Sequence, residues 1–154
     1  MASNSQVLVL DKGAPRRARA WTASVLCVVV PPDGVRRENI VEDVMLCISE
    51  LVTDALLANS QSATIGLQIG PGIVRLSLTD AAILPASRQP GLNAQLMGWG
   101  MVRSLSQECG IDNYNTRREL WAVFRDARVR VVGTAPREGS GNGRFADSVR
   151  RAPQ

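Results

Sequence analysis

The stretch CISELVTDALLANS, Cys47 to Ser60, repeats its apolar residues at helical spacing, yet it sets Glu50 and Asp54 four residues apart. Residues at i and i+4 share one side of a helix. The segment therefore predicts an amphipathic helix with a carboxylate stripe. Its periodicity extends backward to Arg37, with Ile40, Val44, Ile48, Leu51, Ala55 and Ala58 on one face. Upstream, QVLVL reads as a short strand closed by DKGAP. PRRARAWTASVLCVVV reads as a first helix, with Pro15 suited to its opening turn. Downstream, ATIGLQIG and IVRLSLTD alternate apolar and polar residues around Gly70-Pro71-Gly72, a hairpin signature with Ile65, Leu67, Ile69, Val74, Leu76 and Leu78 on one buried face.

The span 81–95 contains Pro85, Pro90 and Gly91 and reads as a loop. GWGMVRSLSQECG reads as a helix opened by glycines, and GIDNYN with ELWAVFRDARVRVV supplies a closing strand pair. This order predicts an α+β two-layer sandwich, with a mixed, mostly antiparallel sheet and helices on one face. The expected organisation is a flexible N-terminus at 1–6, one domain at 7–132, and a disordered basic tail at 133–154.

Composition narrows the chemistry. The chain has 154 residues and no histidine, which removes Ser/His and Cys/His nucleophile pairs. Lys12 is the one lysine, so neither a Walker-type phosphate loop nor a Schiff-base lysine is expected. Cys27, Cys47 and Cys109 lack paired metal-ligand spacing and read as buried free thiols. The formal charge of +4 lies in the segment from Ala127 onward, which leaves the body neutral. No groove-reading motif accompanies that tail, so nucleic acid is not expected as a partner. No run approaches the roughly 20 apolar residues of a membrane span. The opening MASNSQ also lacks the regions of a signal peptide, so the expectation is a cytoplasmic protein without a membrane partner.

Four segments, in order, resemble a known family. ELVTDA at Glu50 to Ala55, VRLSLTD ending at Asp80, GWGMVRSL at Gly98 to Leu105, and RRELWAVF up to Phe124 are similar to the motifs of one ATP-binding superfamily. Its members include gyrase, the ninety-kilodalton heat-shock chaperones, histidine kinases and mismatch-repair ATPases. The likeness is nearest to the bacterial single-domain branch, the anti-sigma-factor serine kinases. It implies ATP and Mg²⁺ as cofactors. Glu50 would be the catalytic base, Asp54 the metal ligand, and Asp80 the acceptor of the adenine amino group. Ala82 would line the base, and Gly98, Gly100 and Met101 would lie at the phosphate end.

The motifs also depart from the family pattern. Asp54 stands where the family has asparagine, adding a negative charge beside a polyanion. Ala82 and Leu84 stand where it has glycines. These changes narrow the adenine wall, because a Cβ resists the conformations and close approach that glycine allows. Two readings follow. In one, the chain is a regulatory protein that holds a sigma factor or an anti-sigma antagonist and has a degenerate ATP site. In the other, it is an active ATP- and Mg²⁺-dependent serine protein kinase acting on such an antagonist. The resemblance further implies a homodimer, formed through the sheet face or the first helix.

Overall fold

The computed structural model describes residues 1–30, 37–81 and 99–131. Five strands form one sheet in the order β1-β2-β3-β5-β4. They are β1 (Ala2–Val9), β2 (Ser62–Gly70), β3 (Ile73–Asp80), β4 (Glu108–Asn113) and β5 (Arg118–Arg125). All four pairings are antiparallel, so no parallel pair joins the expected mixed sheet among the described residues. Helices α1 (Ala14–Val29), α2 (Arg37–Leu57) and α3 (Trp99–Leu105) complete the elements. Of the loop expected at 81–95, residues 82–95 lie outside the described residues, as does the tail at 133–154.

Strand alternation builds the core. On β2 and β3, Ala63, Ile65, Leu67, Ile69, Val74, Leu76 and Leu78 turn inward and are buried. Leu120, Ala122 and Phe124 of β5 continue the same face. The predicted stripe of α2, from Ile40 through Val44, Ile48, Leu51 and Ala55, packs into this cluster. Helix α1 buries Ala14, Ala18, Thr22, Leu26 and Val29. Trp21 and Val25 are partly buried against the same cluster, whereas Val28 is exposed.

Three expectations are corrected. Residues 1–6 are not a flexible end, because β1 pairs with β2 from Ala2 onward. A polar run can form an edge strand through its backbone while its side chains face water. The helix beginning near Gly98 stops at Leu105, and the following ECGIDN forms β4 beside β5. The cysteines are not uniformly buried: Cys47 is buried, Cys109 half-buried and Cys27 exposed. Burial pushes the Cys47 thiol up to about 12, with Asp43, Cys109 and Glu50 adding to the shift. Cys47 therefore acts as a small core residue with no thiolate character near neutral pH.

The outer face of the sheet carries an ordered polar cluster. Trp121 lies opposite Gly110 and covers it, and its Nε1 donates to Asp112 Oδ2 at 3.0 Å. Arg75 sits 5.4 Å from the indole centroid and bonds Glu119 at 2.9 Å. A Cβ at Gly110 would meet Trp121 Cζ2 at 2.6 Å, closer than packing permits. Gly110→Val is expected to displace the indole and destabilise the protein by about 1–3 kcal/mol. Urea unfolding checks this, and an unchanged midpoint would refute the packing role assigned to Trp121.

Candidate functional site

Helix α2 crosses the inner face of the sheet, with Glu50 half-buried and Asp54 buried one turn later. Asp80 ends β3 on the inner side, at 3% exposure. The carboxylates expected to hold metal and adenine are thus brought together. A residue outside the expected set joins them, because Arg118 opens β5 directly opposite Asp80 and is 1% exposed.

Arg118 grips both carboxylates. Its Nε donates to Asp80 Oδ1 at 2.8 Å and its Nη2 to Asp80 Oδ2 at 3.0 Å, a bidentate fork. The same Nη2 lies 2.7 Å from Asp54 Oδ2. That second contact is ionic in distance but lacks hydrogen-bond direction, and it leaves Asp54 Oδ2 without a directed donor. Ser60 Oγ, just past the end of α2, donates to Asp80 Oδ2 at 3.0 Å. The cluster is two acids on one base, closed from solvent.

Its electrostatics follow from burial. Desolvation raises the Asp54 carboxyl above its ordinary range. Arg118 opposes that rise without cancelling it, and Asp80 adds repulsion. For Arg118, burial disfavours the cation, but the hydrogen bond to Asp80 and the charges of Asp54 and Asp80 outweigh it and raise its pKa. The guanidinium therefore stays charged and supplies, from within the chain, the positive charge that a bound cation would bring to these carboxylates.

The other expected residues are less closely joined. Gly100 and Met101 lie in α3, both exposed, and a Cβ at Gly100 would meet nothing within 4 Å among the described residues. Gly98 and Ala82 lie outside the described residues. No group of three or more metal-ligating side chains suited to an ion occurs among the described residues. Asp54 is a hard oxygen donor of the kind Mg²⁺ takes, but its carboxylate already faces the guanidinium at contact distance, so the site as built does not fit Mg²⁺. A depression of about 220 Å³ opens on the opposite face of the sheet, lined by Ser3, Ser5, Thr64, Gly66, Ser77 and Thr79 among others. It is separate from the carboxylate cluster, which lies on the inner face.

Comparison with known proteins agrees with this architecture. The chain is similar to the crystal structure of the RsbU and RsbW domains of Rv1364c from Mycobacterium tuberculosis, with a TM-score of 0.58 at 18% identity. The likeness is one of fold: an α+β sandwich with a five-stranded antiparallel sheet and helices on one face. The match covers 81% of this chain and 32% of that one, so it spans about a third of the larger protein. No family model matches the sequence, and no curated protein matches it. No helix among the described residues is long and apolar enough to cross a membrane.

Proposed function

We propose that this chain is a regulatory protein of the anti-sigma kind, which holds a sigma factor or an anti-sigma antagonist without using nucleotide. The observation that carries this reading is the Arg118 clamp. In the resembled family the position of Asp54 serves magnesium and that of Asp80 serves adenine. Here one buried guanidinium engages both carboxylates at 2.7 to 3.0 Å. Before ATP could use them, Arg118 would have to leave a buried ion pair, and parting such a pair costs several kcal/mol, about 3–5 when one partner is removed outright. An adenine hydrogen bond to a carboxylate returns only about 1.5–3 kcal/mol. The exchange is unfavourable.

The likeness to a structure containing an RsbW domain supports a protein partner as the object of regulation. Glu50 keeps the family's residue type and is half-buried, which is the observation favouring the kinase alternative. The two readings separate in a capture experiment. Immobilised protein is offered a panel of sigma factors and anti-sigma antagonists, with Mg²⁺-ATP or with chelator and no nucleotide. The expected result is equal capture in both conditions and no phosphate transfer. Capture that requires Mg²⁺-ATP, or transfer to an antagonist serine that Glu50→Ala abolishes, would replace this proposal with the kinase.

A further inference from the structure

We draw no further inference here: the strongest candidate, the depression on the outer face of the sheet across β1, β2 and β3, is lined among the described residues by no charged and no buried polar side chain, and nothing in the structure shows what would cover it.

Discussion

Arg118→Ala should cost about 3–5 kcal/mol of stability, the range for removing one partner from a buried ion pair. The substitution removes the guanidinium that both Asp54 and Asp80 face, while Ser60 still donates to Asp80. The damage should depend on pH in a defined direction. Burial and the neighbouring Asp80 already raise the Asp54 carboxyl above its ordinary 3.8, and losing the guanidinium removes the opposing influence. A carboxyl with a raised folded-state pKa binds its proton more tightly in the fold than in the unfolded chain. Stability therefore falls as pH rises from the ordinary value through the folded one. The variant should be weakest at neutral pH and recover part of its deficit on acidification. Urea unfolding at two pH values measures both effects. A loss below about 1 kcal/mol at neutral pH would mean that Arg118 is not the counter-charge of the cluster.

Removing all three charges together should act in the opposite direction. The triple variant Asp54→Leu, Asp80→Leu, Arg118→Met replaces a desolvated cluster with apolar groups of comparable bulk. Buried ion clusters exchanged in this way are often neutral or gain about 1–4 kcal/mol. The site here suits such an exchange, because Leu78 and Leu120 lie next to Asp80 and Arg118 on the same apolar sheet face. Ser60 is only half-buried and can turn its hydroxyl to water. The triple variant is therefore expected to melt at or above the wild-type temperature and to retain partner capture. Unfolding of the triple variant would show that the cluster specifies the fold, beyond balancing its own charge.

Much of this architecture is legible in the residues, for physical reasons that also explain what is not. The buried face of α2 and the hairpin of β2 and β3 follow from periods of 3.6 and 2, because each bears strong apolar residues wherever it meets the core. Strand β1 reads short, since Ser3, Asn4, Ser5 and Gln6 give no apolar alternation, and an edge strand with exposed side chains needs none. Strand β4 is legible from Gly110 onward, but its first residues, Glu108 and Cys109, read as the end of a helix, because only Cys109 and Ile111 turn inward and pairing with β5 overrides weak local preference.

The clamp has a subtler signal. Arg118, Leu120, Ala122 and Phe124 alternate on one side of β5, which puts an arginine on an apolar face where it must have a partner. Asp80 occupies the same parity on β3, after Val74, Leu76 and Leu78. Each fact is visible in the sequence, but the pairing that joins them depends on the β3–β5 register. That register skips β4 and is set by tertiary structure.

The central claim is that Arg118 occupies the place of nucleotide and metal at Asp54 and Asp80. Calorimetric titration of the wild-type protein with ATP in the presence of Mg²⁺ tests it most directly. The account predicts no saturable heat, and the same flat trace when chelator replaces magnesium. A saturable isotherm that needs magnesium and is lost in Asp80→Asn would contradict it and restore a working nucleotide site.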